Sequence, residues 1–416
     1  MFPTQNKQTD ARGVPVSTCS AQSLADYEKA LQQFQSYVGD PTETLEQTLN
    51  NDPEFVLGHV FNANAMLMMS ERQYLPRVKT SVEAAEALAG KANDREKTLI
   101  KAARHWMQGE WDSATQAWDR VRADHPTDAM ALQCAHLTDF YLGDAVNLRD
   151  RVGRVLSHWD ESMPGYSYIL GLQAFGFEEF HQFDRAEETG RAALAIEPRD
   201  GWSVHAVTHV MKMQNRFEEG QAFLRSRQDD WAPDNGFAFH NWLHLALFHI
   251  EQEDFTGALQ LYDEQVLADD SDLSMQMLDA AALLWRVHLH GIDLTQRWNR
   301  LADLWAQKTE TENGYYAFND LHAVVALVGA GRIQQAQEVL TAVKEAANNN
   351  PRLTAMMASS VGVASCSAMI AFGEQRYADA VQQLLGIRTV ANRFGGSNAQ
   401  RDILTQTLTE AAIRNK

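Results

Sequence analysis

One short pattern recurs along this chain and limits its fold more than any other feature. A polar residue, a large aromatic or aliphatic residue, two variable residues and a small one appear as EWDSA (110–114), QFDRA (182–186), RFEEG (216–220), DFTGA (254–258), RIQQA (332–336) and RYADA (376–380). The large positions are Trp111, Phe183, Phe217, Phe255, Ile333 and Tyr377, separated by 72, 34, 38, 78 and 44 residues. Two gaps are near-doubles, which places degenerate copies near Asn147 and Leu294, and Tyr74 adds a weaker copy. A period of about 34 to 40 residues belongs to a helix–turn–helix solenoid, whose units bury their apolar faces only against neighbours. The large residue opens the second helix of each pair, and the small one three positions on lets the paired helix approach closely. The strings NNDPEF, ADHPTD and AIEPRDGW each stop a helix, because proline offers no N–H and clashes with the preceding turn. The expected fold is all-α: a right-handed superhelical solenoid of about nine helical pairs with a C-terminal capping helix.

The 416 residues exceed what one compact core usually organises, as an additive array allows. The expected divisions are a polar, mobile or loosely docked arm over 1–22, N-terminal repeats over 23–160, C-terminal repeats over 161–394 and the capping helix over 395–416. The formal charge is −19, from 36 basic and 55 acidic residues, and the basic ones form no stripe. Nucleic acid and anionic membrane surfaces are therefore excluded as expected partners. No apolar run reads as a membrane span and the N-terminus lacks a secretory leader, so a soluble, cytoplasmic chain is expected. Three cysteines, Cys19, Cys134 and Cys366, have no paired spacing, which leaves neither a disulfide framework nor a four-cysteine zinc site. Neither GxxxxGK[ST] nor GxGxxG after a strand is present, and no cofactor is expected.

Several stretches are more specific than the repeat: AALAIEPRDGWSVHAVTHVMKM, FHNWLHLALFHIEQEDFTGALQLYD, QRW at 296–298, FNDLHAVVAL and GGSNAQRD. Together they resemble the tetratricopeptide repeat protein 38 family over most of the chain, from DARGVP to the terminal helix. GGSNAQRD is the most specific string, because generic repeats do not carry it. The resemblance implies a tetratricopeptide-like fold and does not by itself imply a reaction.

Polar residues fall in a repeating register on the first helices. His244, His322, His136 and Cys366 each lie 11 residues before the opening of their second helix, and His205 lies 12 before Phe217. His209 follows His205 at i+4, and His240 precedes His244 by the same spacing, so each pair shares a helix face. In tetratricopeptide folds this register resembles the positions that face the groove. Asn241, Asn319 and Asp320 flank the histidines. The bland alternative for any one of them is a half-buried packing residue beside Trp202, Trp242 or Phe318.

The expected function is binding of a small polar ligand or a peptide in a concave pocket. Its residues would be His205, His209, His240, Asn241, His244, Asn319, Asp320, His322, Asn398 and Arg401. A groove rich in His and Asn favours a small or uncharged ligand over an acidic peptide tail. The alternative is a hydrolase-type enzyme using the same pocket on a small metabolite. Its catalytic candidates are His205, His209, His244, Asp320 (orienting a ring), His322 and Cys366, the last of which equally suits a core position. A metal is the lesser expectation. Only His205, His209, His240 and His244 have the spacing to bring imidazoles to one ion, and there is no HExxH string. In GGSNAQRD, Ser397 and Gln400 form a capping box, while Asn398 and Arg401 at the helix start suit an anion. Glu179 matches an acidic residue that the family resemblance implies, and a solvated helix face accounts for Glu178 and Glu179 equally well. Asp279 and Arg297, in the segment least like the repeat, reach inwards or pair with each other. A homodimer is left open.

Overall fold

In the computed structural model, residues 8–17, 20–348 and 352–415 are described; Cys19 and the start of the N-terminal arm lie outside them. Among the described residues the fold is all-α apart from a two-residue hairpin, Gln8–Thr9 with Pro15–Val16, and an isolated bridge between Val38 and Asn235. The repeat pattern marks helix starts closely. Second helices open at Trp111, Phe183, Phe217, Phe255, Ile333 and Tyr377, and the degenerate copies open at Ala145, Thr295 and Leu75. The small residues three positions on (Ala114, Ala186, Ala258, Ala336 and Ala380) are fully buried, as close helix approach requires. Among the described residues there is one helical pair more than the repeat count expects. It is Ala21–Ser36 with Pro41–Asn51, whose second helix opens on an Asp40 cap and a proline and so lacks the large-residue mark.

First and second helices differ in how much of their surface is covered. Ala129–Leu142, Tyr166–Glu179, Gly201–Met213, Ala238–Glu251, Ser274–Leu289 and Ala317–Gly329 are buried nearly all round. Second helices such as Phe183–Ile196 bury one stripe only. A helix covered on every side belongs to an inner layer, and a striped one faces solvent. The first helices thus form an inner wall with one continuous apolar core from Val16 to Ala411. The apolar run Leu353–Gly373 is long and apolar enough to span a bilayer, contrary to the sequence reading, but two thirds of its central window is buried in this core. It packs against Ala317–Gly329 and Ile333–Asn348, and a π-turn at Ala358–Gly362 interrupts it.

The superhelix closes on itself. Gly236 N–H donates to Tyr37 O (2.7 Å), and Asn235 Nδ2 donates to Ser36 O (3.4 Å). Further along, Glu71 accepts from Ser274 N–H (2.9 Å) and pairs with Lys308, while Glu312 accepts from the N–H groups of Arg72 (2.7 Å) and Gln73 (2.8 Å). The last helix, Asn398–Arg414, turns back into the inner layer. Trp285 Nε1 donates to Thr407 Oγ1 (2.8 Å), and the Arg286 guanidinium donates to Ala399 O (2.9 Å). The described part of the N-terminal arm is docked, not loose. Arg12 is buried against Asp10 and Glu28, Val14 and Val16 are buried, and Ser17 N–H donates to Glu96 (3.0 Å).

Candidate functional site

A cavity of about 450 Å³ lies inside the closed superhelix. Its wall draws on helices far apart in sequence: Phe34 and Tyr37, Met66, Phe140 and Tyr141, Trp202, Phe237, Leu278, and Tyr316 with Phe318. Most of the lining is aromatic or aliphatic. Polar groups enter at His205, His240, Asn319, Ser397 and Gln400, and at Gln33, Asp40, Thr42, Ser70 and Arg77, of which Asp40 and Arg77 are exposed, so the cavity opens to solvent there. The GGSN string explains itself here. Gly395 and Gly396 have φ of 87° and 77°, and a Cβ on them would meet Tyr316 Oη at 2.1 Å and the Phe318 ring at 2.4 Å. Only glycine lets the chain run this close to the cavity wall before Ser397 caps the last helix. The capping box is present: Ser397 Oγ accepts from Gln400 N–H, and Gln400 accepts from Ser397 N–H.

Behind His205 and His240 stands a cluster of four buried imidazoles. Asp200 caps the helix Gly201–Met213 by accepting from the N–H groups of Trp202 (3.1 Å) and Ser203 (3.0 Å), which fixes the start from which His205 and His209 project. The facing helix Ala238–Glu251 carries His240 and His244. Ring centroids are 4.2 Å apart for His205–His209, 4.7 Å for His205–His240 and 4.5 Å for His209–His244. His240 Nε2 lies 3.0 Å from His205 Nε2 and 3.3 Å from His244 Nε2. Two carboxyls back the rings: Asp279 Oδ2 lies 2.6 Å from His240 Nδ1, and Glu178 Oε2 lies 3.2 Å from His209 Nδ1. Burial pushes the pKa values of His205 and His244 well below the usual histidine value, helped by the neighbouring rings, and that of His209 down to about 3. Burial also raises Glu178 to about 8 and Glu179 to about 7.

The sequence-based candidates are distributed as follows. His205, His240 and Asn319 line the cavity, and His209 and His244 join the cluster behind it. Asn241 is used structurally, its Nδ2 donating to Gly201 O (3.2 Å) across the helix pair. Asp320 does not orient a histidine; it accepts from Gly314 N–H (3.0 Å) and closes a loop. His322 turns Nδ1 to Phe318 O (2.8 Å), and burial lowers its pKa to about 4. Cys366 is fully buried, lies outside the cavity wall, and burial raises its thiol well above the ordinary value. It lacks the exposure and thiolate character of a nucleophile.

At the expected anion site Asn398 and Arg401 are engaged by Glu179, while both also line a separate cavity of about 340 Å³ with Arg388 and His181. Asn398 N–H donates to Glu179 Oε1 (2.8 Å), its Nδ2 donates to Glu179 O (3.2 Å), and Arg401 lies 3.5 Å from Glu179 Oε2. Arg401 also donates to Asn398 Oδ1 (2.7 Å) and Gly396 O. Asp279 and Arg297 do not pair with each other. Asp279 is buried on His240, whereas Arg297 pairs with Asp263 at the surface. Glu178, Glu179, Asp279 and Gln400 join the site although the sequence reading did not count them among its ligand-binding residues. One signal was available: Asp279 is the lone acid inside the apolar run MLDAAALLW.

No family model matches the chain. Among solved structures it is similar to the human IFIT1 dimer with PPP-AAAA, at TM-score 0.44 and 13% identity over 92% of this chain and 86% of that one. It is also similar to the APC/C hetero-tetramer Cut9-Hcn1 (TM-score 0.41, 9% identity, 91% and 68% covered). A third is yeast Tom70 (TM-score 0.37, 10% identity, 82% and 85% covered). The chain is a tetratricopeptide-like helical-repeat protein in build, and these likenesses say nothing about its ligand.

Proposed function

We propose that this protein binds a compact, largely apolar small molecule with a hydrogen-bonding group at one end, held in the cavity inside the closed superhelix. The observation that carries the proposal is the cavity itself. Its volume of about 450 Å³ falls within the range of about 300–1,000 Å³ typical of small-molecule sites, and aromatic walls with a few converging polar groups are what such sites share. The apolar wall shifts the expected ligand from polar to amphipathic. His205, His240, Asn319 and Gln400 supply the polar end. A peptide tail is disfavoured, because it needs an open trough. Here the Tyr37–Gly236 contact and the returning last helix occupy that space.

The strings resembling the tetratricopeptide repeat protein 38 family surround this cavity: they carry His205, His209, His240, His244, Asn319 and the GGSN turn. We therefore place the chain in that family as part of the same proposal. A second reading, a hydrolase-type enzyme, is favoured by the Asp279-backed His240 in the cavity wall. With Cys366 set aside, water would be its nucleophile.

The test is a thermal-shift and native mass spectrometry screen of the full chain against small amphipathic molecules, repeated on Ala65→Trp. Ala65 lines the cavity, so the indole would project into it and take up roughly a third of its space. Hits that stabilise the parent and are lost in the folded variant support the proposal. Hits that survive the substitution place binding elsewhere and overturn it. Turnover of a bound hit into a hydrolysed product would promote the second reading.

A further inference from the structure

Four imidazoles from two helices meet in a space that hydrogen bonding among themselves does not satisfy. One ligand atom from each of His205, His209, His240 and His244 can be chosen so that all four lie within 4.8 Å of one another. With Asp279 on its Nδ1, His240 turns the lone pair of Nε2 towards the cluster. Both His205 Nε2 (3.0 Å) and His244 Nε2 (3.3 Å) approach that single lone pair, which accepts one hydrogen bond well. His209 Nε2 is buried and has no hydrogen-bond partner, while Glu178 stands at its Nδ1. The two observed nitrogen separations also have a scale. Tetrahedral ligands at about 2.0–2.1 Å from zinc lie about 3.3 Å from each other.

The groups behind the rings point the same way. Asp279 and Glu178 are fully buried and each meets a histidine ring, at 2.6 and 3.2 Å, with Gln400 and Arg286 near the first and Glu179 and Arg401 near the second. Histidine ligands commonly give their other ring nitrogen to a carboxylate, which fixes the ring and raises its basicity. Two of the four rings here have that partner.

We propose that His205, His209, His240 and His244 form a binding site for one Zn2+ ion, with Asp279 and Glu178 as positioning residues for the rings of His240 and His209. A dication accepts the lone pairs that the cluster leaves in conflict. Imidazole donors suit zinc among the first-row ions. His205 and His240 also face the cavity, so the ion would sit at the polar end of the proposed ligand site. This reverses the sequence-based ranking, in which metal was the lesser expectation.

The experiment uses the full chain, stripped with dipicolinate and titrated with Co2+ and then Zn2+. A visible d–d band that saturates at about one Co2+ per chain and collapses as Zn2+ replaces it is the expected result. Asp279→Asn, with unchanged circular dichroism, should weaken Zn2+ binding by about 10- to 100-fold, because the orienting carboxylate is lost while all four ligands stay. His209→Gln and His244→Gln should abolish the band. A folded parent that binds neither ion overturns the proposal, as does stoichiometric binding that survives His205→Gln/His240→Gln or an Asp279→Asn affinity equal to the parent's. The two proposals fail separately: loss of organic ligands in Ala65→Trp is read without metal, and the cobalt band is read without an organic ligand.

Discussion

Asp320 offers a quantitative test of how the inner layer treats charge. Its carboxyl is 4% exposed at the start of Ala317–Gly329, and its one hydrogen bond from the chain is the Gly314 N–H at 3.0 Å. Burial raises its pKa from 3.8 to about 7, against the smaller pull of that N–H and of Arg72. Between those values the folded protein holds a proton that the unfolded chain has released. Stability therefore falls as pH rises through this window, and the deficit is complete above about pH 7. A shift of about 3 units corresponds to about 4 kcal/mol as a ceiling, and relaxation of the loop at Gly314 reduces it to about 2 kcal/mol. Asp320→Asn keeps the shape and the acceptor for Gly314 N–H but carries no charge. Urea unfolding at pH 5 and pH 8 is the assay. The variant should exceed the parent by about 0.8 kcal/mol at pH 5, where just over a third of the window has been crossed, and by about 2 kcal/mol at pH 8. Equal destabilisation at both pH values would refute the reasoning, because it would mean that the carboxylate is well solvated or required in its charged form.

Three further outcomes are expected. Arg401→Ala should lower stability by about 2–3 kcal/mol in urea unfolding, because Glu179 and the Gly396 carbonyl lose a charged donor. A variant that unfolds like the parent but no longer binds phosphate would restore the external anion site. Gly220→Ala should cost about 1–3 kcal/mol, since its Cβ would lie 2.3 Å from the Phe248 ring, and an unchanged melting temperature would deny the close helix approach. Gln375→Gly should raise stability by about 0.5 kcal/mol. It relieves a left-handed residue (φ 60°) at a cost of about 1–2 kcal/mol, set against about 0.4–1 kcal/mol of added chain entropy, and a drop in the melting temperature would contradict this.

The repeat was legible because it is local. A large residue opening a helix and a small one a turn later are packing demands between neighbours, and they recur wherever the same pair of helices meets. The first pair was missed for the same reason: Asp40 and Pro41 start its second helix by capping chemistry and leave no periodic mark. Closure of the superhelix was not legible. It rests on contacts such as Tyr37 with Gly236, which join turns about 200 residues apart and need no special composition. That closure decided the character of the site. It made the expected concave pocket largely apolar and brought Asn398 and Arg401 onto Glu179. The histidine register placed His205, His209, His240 and His244 on facing helices, but their depth depended on Asp279 and Glu178. Glu178, at a helix end beside Glu179, has the sequence appearance of a solvated acid, but neighbouring helices cover it and set it against His209, while Asn398 of the last helix engages Glu179.

The measurement closest to the central claim is native mass spectrometry of the full chain purified gently from its expression host, beside Ala65→Trp. The account predicts a co-purifying small-molecule mass, or a screened amphipathic ligand, retained by the parent and absent from the variant at equal helical content. An identical bound mass in both proteins would contradict it, because the ligand would then lie outside the cavity.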